Sequence, residues 1–256
     1  MLIDITKAKQ IFKEYVKNYN PNDSQVKLKI AHIERVTQVA RKLAEKLNLS
    51  KEDIELAELI GLLHDIGRFE QIKNYHTFLD KDSINHGEYG VQILFEKGLI
   101  RRFIETDKFD EIIKLSILNH NRGKIERGLT KREKMHAMLI RDADKTDIFY
   151  VLTSEAKKDA WGSADLSNDI ISDEIFREFL EDRTINYQNI KMSADLLVAH
   201  FAYVYDLNFA PTLKIIKENN YLDKIYNRFE FKNKETQEKI KIVYETAKQY
   251  LTEKGW

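Results

Sequence analysis

Nine glycines and two prolines are the main chain breakers in 256 residues. A chain with so few places to turn is committed to long helices. The apolar spacing agrees. Ile5, Ala8, Ile11, Phe12, Tyr15 and Val16 recur at helical intervals. After the turn signal Asn20-Pro21-Asn22-Asp23, a longer stripe runs from Val26 through Ile30, Ile33, Val36, Val39, Ala40, Leu43 and Ala44 to Leu47. Asp23 or Ser24 is placed to cap that second helix. His32 lies at the edge of its stripe, near the helix start. Taken alone, it reads more readily as a satisfied structural histidine than as a ligand.

Ser50 opens the next helix, with Asp53 at the position of a capping-box acid. Residues 54–64 are apolar nearly all round toward their end, which predicts a buried helix. That helix runs into Leu62-Leu63-His64-Asp65-Ile66-Gly67-Arg68. By chance alone, a chain with 7 His would hold roughly half of one His-Asp pair. The surroundings give the pair its weight. An imidazole and a carboxylate buried without partners are costly, and a bound metal ion removes that cost. Gly67 suits a left-handed helix stop.

Residues 68–86 read as a polar loop punctuated by Phe69, Tyr75 and Phe78, ending at His86, which opens another helix. The amphipathic segment Phe109 to Leu118 delivers His120 at its end. Arg122, Lys124, Arg127, Lys131, Arg132 and Lys134 form a basic run, either a solvated face or a lure for an anionic substrate. A helix over 135–147 carries Asp142, Asp144 and Asp147 in its apolar middle. Asp144 is the favoured ligand, with Asp142 in reserve. In order, His, His-Asp, His, His and Asp supply the nitrogen and oxygen donors that a transition metal takes.

From Ser154 onward the chemistry thins. Trp161-Gly162-Ser163 and Leu166-Ser167-Asn168-Asp169 read as loops, and helical patterns cover 173–181, 190–207, 211–227 and 234–252. Tyr187, His200, Tyr203 and Asp206 are either pocket lining or, more simply, core aromatics and a capped polar group. No linker or repeat divides the chain, which predicts one domain over residues 1–256. An exposed apolar face on the last helices would offer a contact for a homo-oligomer.

The 42 basic and 42 acidic residues cancel. That balance argues against bulk binding to nucleic acid or an anionic membrane. No cysteine is present, which excludes disulfides, iron–sulfur clusters and thiolate zinc sites. The N-terminus lacks the charged and apolar regions of a secretory signal, and the apolar run Leu196 to Tyr205 is too short for a bilayer. These features predict a cytoplasmic protein. There is no P-loop, no dinucleotide-binding glycine pattern and no Gly-x-Ser-x-Gly.

The pattern His32, His64-Asp65, Asp144 resembles the HD-domain superfamily of metal-dependent phosphohydrolases, in its bacterial branch. "LLHDIGRFEQ", "TFLDKDSINHGEYG", "ILNHN" and "IRDADKTDIF" carry the resemblance, over about residues 25–150. It implies an all-α fold, an HD-domain helical bundle with a C-terminal helical extension (151–256) packed on it. It also implies that His32, His64, Asp65 and Asp144 bind one metal ion, and that His86 and His120 join Asp65 at a second. The expected cofactors are two divalent ions, manganese, iron, nickel or cobalt before magnesium or zinc. The expected reaction is hydrolysis of a phosphate mono- or diester of a small substrate, a nucleotide first, by metal-activated water. Asp65 would bridge the ions, and Arg68 and Lys145 would contact phosphate oxygens, with Arg122 a weaker third. Lys145 serves equally well to neutralise the acids around it. The alternative is a di-iron oxygenase using the same His/Asp set.

Overall fold

The computed structural model describes residues 3–154, 165–181 and 185–254. The expected loop at Trp161-Gly162-Ser163 lies outside them. Among the described residues the fold is all-α, with no strand. No described helix is long and apolar enough to cross a membrane. The chain forms two compact units, Met1–Asp144 and Lys145–Trp256.

The first unit holds α1 (Ile5–Val16), α2 (Ser24–Lys46), α3 (Lys51–Leu63), α4 (Gly67–Tyr75), α5 (His86–Val91), α6 (Ile100–Phe103), α7 (Asp110–His120) and the start of α8 (Lys131–Ser154). The caps follow the sequence signals. Asp23 Oδ1 accepts from the Gln25 N–H at 2.8 Å, and Ser50 Oγ accepts from the Asp53 N–H at 3.1 Å. Apolar positions of α2 and α3, including Ile33, Val36, Ala40, Leu43, Leu56, Leu59 and Leu63, are buried. The two helices approach closely at Gly61, where a Cβ would stand 3.0 Å from the Thr37 Cα. Alanine there would push α2, and His32 with it, away from the end of α3.

Two expectations are corrected here. Residues 67–75 are helical, not part of a loop, because Phe69, Ile72 and Gln71 turn inward together. Gly67 does not stop a helix in the left-handed region. It starts α4 at a point of close approach, where a Cβ would meet the His86 carbonyl oxygen at 2.3 Å and the Gly90 N at 2.7 Å. Glycine is needed there for space.

The second unit holds the rest of α8, then α9 (Asp173–Leu180), α10 (Ser193–Ala202), α11 (Ala210–Glu218), α12 (Tyr221–Tyr226) and α13 (Lys234–Lys254). It has its own core, with Phe149, Phe179, Val198, Phe201, Ile216, Leu222 and Val243 buried. The single helical pattern over 211–227 is two helices. Asn220 breaks it with a φ of 52°, a left-handed conformation that asparagine tolerates.

Candidate metal centre

The junction of α3 and α4 sets the site. His64 and Asp65 follow the last turn of α3, with the His64 N–H still bonded to the Ile60 carbonyl and the Arg68 N–H bonded to the Asp65 carbonyl. Both side chains therefore project from a tight backbone corner. His32 comes from α2, His86 from the start of α5, His120 from the last turn of α7 and Asp144 from α8. His32, His64, Asp65, His86 and His120 are all buried.

Asp65 is the centre of this set. Its Oδ2 lies 3.5 Å from His32 Nε2 and 3.8 Å from His64 Nε2. Asp144 Oδ1 closes the same side, 3.2 Å from His32 Nε2 and 3.8 Å from His64 Nε2. The other oxygen, Asp65 Oδ1, faces His86 Nε2 at 3.4 Å and His120 Nε2 at 3.5 Å. Two groups able to hold a metal ion result, His32–His64–Asp65 and Asp65–His86–His120, sharing one carboxylate.

The far sides of the rings show which nitrogens can coordinate. His64 Nδ1 lies 2.8 Å from the Gly61 carbonyl and His120 Nδ1 lies 2.6 Å from the Ile117 carbonyl. A carbonyl only accepts, so each Nδ1 carries a proton, and Nε2 is the nitrogen left to coordinate. His86 Nδ1 likewise donates to Asp80 Oδ2 at 2.6 Å. His86 Nε2 and His120 Nε2 then confront each other at 2.9 Å. With both nitrogens unprotonated, as metal ligands must be, two lone pairs at that separation would repel. A cation held by both nitrogens would remove that repulsion. His64 Nε2 and Asp65 Oδ1 are buried and have no hydrogen-bond partner. Orphaned donors aimed inward, with protonated nitrogens turned outward, fit bound cations.

Electrostatics point the same way. Burial raises the pKa of Asp65, but the Lys29 ammonium and the Arg68 guanidinium outweigh it and hold the carboxyl well below its usual range. Burial is likewise outweighed at Asp144, first by His32. Burial lowers His64 and brings His86 down to about 4, so both rings stay neutral at pH 7.

Other expected residues have different partners. One Arg68 nitrogen donates to Gln71 Oε1 at 2.8 Å, the Phe78 carbonyl at 2.6 Å and Asp80 Oδ1 at 3.0 Å, while Nε stands 3.6 Å from Asp65 Oδ1. Arg68 thus clamps the segment carrying Asp80 and adds positive charge beside Asp65. Arg122 pairs with Glu126, and Arg132 reaches Glu52 at 2.8 Å and Asp53 at 2.7 Å, so acids neutralise part of the basic run. Asp142 is fully buried and has partners of its own. Lys145 belongs to the second unit, where its amine pairs with Asp206 at 2.7 Å and lies 5.4 Å from the Tyr203 ring centre. Tyr203 in turn contacts His200 and Tyr187.

Sequence reasoning missed three supporting residues. Asp80 orients His86. Lys29 donates to Asp65 Oδ2 at 2.7 Å from a position one helical turn before His32. Arg141, 1% exposed, donates to the Asn119 carbonyl at 2.7 Å and also to the Arg122 carbonyl, tying down the end of α7 beside His120. Only Arg141 left a signal, a cation directly after the apolar run Ala137-Met138-Leu139-Ile140.

A family model for the HD domain matches residues 30–148. Residues 30–148 are an HD domain. The match spans the segments carrying His32, His64-Asp65, His86, His120 and Asp144, the residues that converge in space. HD domains bind divalent metal ions and belong to a superfamily of metal-dependent phosphohydrolases. No curated protein and no solved structure matches the chain.

Proposed function

We propose that this HD domain hydrolyses a phosphate mono- or diester of a small substrate, a nucleotide first, using two divalent metal ions. The observation that carries the reading is the split role of Asp65, with one oxygen toward His32 and His64 and the other toward His86 and His120. In this reading His32, His64, Asp65 and Asp144 would hold one ion, and Asp65, His86 and His120 would hold the other. Manganese, iron, nickel and cobalt suit a set rich in imidazole. Bound there, the ions supply a hydroxide at neutral pH and charge stabilisation for the phosphoryl group.

The chain's own residues do the rest. His64 and His120 each donate the Nδ1 proton to a backbone carbonyl, which leaves Nε2 as the nitrogen that would coordinate. Asp80 does the same for His86, and Arg68 holds Asp80 in place. Arg68 also lends positive charge to the side of Asp65 where a phosphate oxygen would approach. Lys145 is paired with Asp206, so we give it the weaker role.

The test is hydrolysis of an aryl phosphodiester, an aryl phosphomonoester and a nucleotide panel with each of the four metals. His64→Ala and Asp65→Ala should each lower the rate by about a thousandfold, the several kcal/mol that metal activation supplies. Full activity in either variant overturns the reading. Oxygen uptake by the iron-loaded protein, without phosphoester hydrolysis, would replace it with the oxygenase.

A further inference from the structure

The bridging carboxylate has a second cationic partner that neither metal group includes. Lys29 Nζ sits 2.7 Å from Asp65 Oδ2, the oxygen that also faces His32 and His64. The Lys29 side chain keeps 16% of its surface exposed, against 4% for Asp65, so it stands at the mouth of the cage. The Phe78 ring flanks it, 5.5 Å from the ammonium. Lys29 and His32 stand three residues apart on α2, on one face of the helix.

In the arrangement described, the ammonium balances Asp65. A divalent cation bound through Oδ2 competes for the same electrons and repels a positive charge held so near. Metal loading therefore weakens the Lys29–Asp65 bond. The backbone of α2 still fixes the Lys29 Cα one turn from His32, so the released ammonium stays beside the ions with no carboxylate of its own. A compact anion carrying two or more negative charges satisfies it.

We propose that Lys29 couples metal binding to oxyanion binding: metal loading converts its salt bridge with Asp65 into a seat for a phosphate-like dianion. This rests on the phosphohydrolase reading and names a positioning residue for its substrate. Because coupling is reciprocal, the anion must tighten the metal by the factor by which the metal tightens the anion.

The experiment titrates the full chain calorimetrically with Mn²⁺, with inorganic phosphate, and with phosphate after Mn²⁺ saturation. It uses wild type, Lys29→Met and Lys29→Arg, and circular dichroism checks that each is folded. In wild type, phosphate should bind at least about tenfold more tightly to the Mn²⁺-loaded protein than to the metal-free one. Lys29→Met should keep the Mn²⁺ stoichiometry and bind Mn²⁺ alone about fivefold more tightly, its competitor gone. It should also bind phosphate about tenfold more weakly in the loaded state. Lys29→Arg should restore phosphate binding toward wild type. A phosphate affinity in Lys29→Met within twofold of wild type overturns the proposal, as does weaker Mn²⁺ binding, which would make Lys29 a scaffold. If the wild type hydrolyses phosphoesters while Lys29→Met binds phosphate normally, the coupling alone fails. If the loaded wild type neither binds phosphate nor hydrolyses any phosphoester, the functional reading fails with it.

Discussion

Among the histidines with a described ring contact, His86 depends on another side chain for its direction. Its Nδ1 donates to Asp80 Oδ2, and Asp80 is held in turn by Arg68 and Gln71. Asp80→Ala should therefore weaken the ion at Asp65, His86 and His120 by about 10–100-fold, the usual effect of losing such a support, and spare the ion at His32. Elemental analysis after dialysis at limiting Mn²⁺ reads this directly, and unchanged occupancy of both sites would refute it. Acid sensitivity belongs to the residue scale as well. Burial depresses His86 to about 4 and His200 to about 3, whereas an unfolded histidine titrates near 6.5. Below about 6.5 the unfolded chain binds protons that the folded chain refuses, so stability falls as pH drops toward 4. The urea midpoint of metal-free protein should be lower at pH 5 than at pH 7. The depressed aspartates lose their contribution only at lower pH, and equal midpoints would show that these rings are not held neutral. Asp80 and Lys29 were illegible in the sequence because a single polar residue carries no period, and the partners that give each a role were not visible in the sequence.

Elements with strong periodicity were legible, and α4 shows where legibility ends. Its apolar signal is Phe69 and Ile72 alone, too short to distinguish a helix from a loop. What fixes α4 is polar. Gln71 is fully buried and donates to Asp80 Oδ1, Ser83 Oγ and the Ile84 carbonyl. Its start is fixed by the bare backbone at Gly67. Gly67→Ala should cost about 3 kcal/mol, the upper end for overpacking, because the atoms in the way are backbone rather than flexible side chains. It should also disturb His86, whose carbonyl stands in that space. Urea unfolding with Mn²⁺ stoichiometry on the same sample tests both, and a neutral substitution would mean that α4 and α5 yield. Arg141→Met removes the donors that hold the end of α7 and leaves buried carbonyls unpaired. About 2–4 kcal/mol of destabilisation is expected, with His120 losing its hold on the second ion. Retention of both stability and full metal content would contradict that role.

For the whole molecule, every proposed metal ligand falls within Met1–Asp144, while Lys145–Trp256 has a core of its own. The all-helical class and the residues of the two donor groups were legible, because helical periods and one His-Asp pair flanked by further histidines leave marks in one dimension. The division into two units was not, since no glycine, proline or serine linker marks it and α8 runs through it. Metal binding acts on the unit that holds the donors. At a hundredfold excess over Kd it should stabilise that unit by about 2.7 kcal/mol. Calorimetry with Mn²⁺ and with chelator should show a shift in the transition of the metal-bearing unit, and a scan that ignores the metal would be inconsistent with the cage.

His64 and His120 lean on the carbonyls of Gly61 and Ile117, each three residues upstream in its own helix. Those acceptors are main chain, so no replacement of the side chain at position 61 or 117 deletes the oxygen itself. Two of the four histidines of the cage thus have their tautomers written into the peptide backbone, out of reach of point mutation. His86 leans on a carboxylate that a single base change can erase, which makes the seat of the proposed second ion the part of this cage most open to evolutionary retuning.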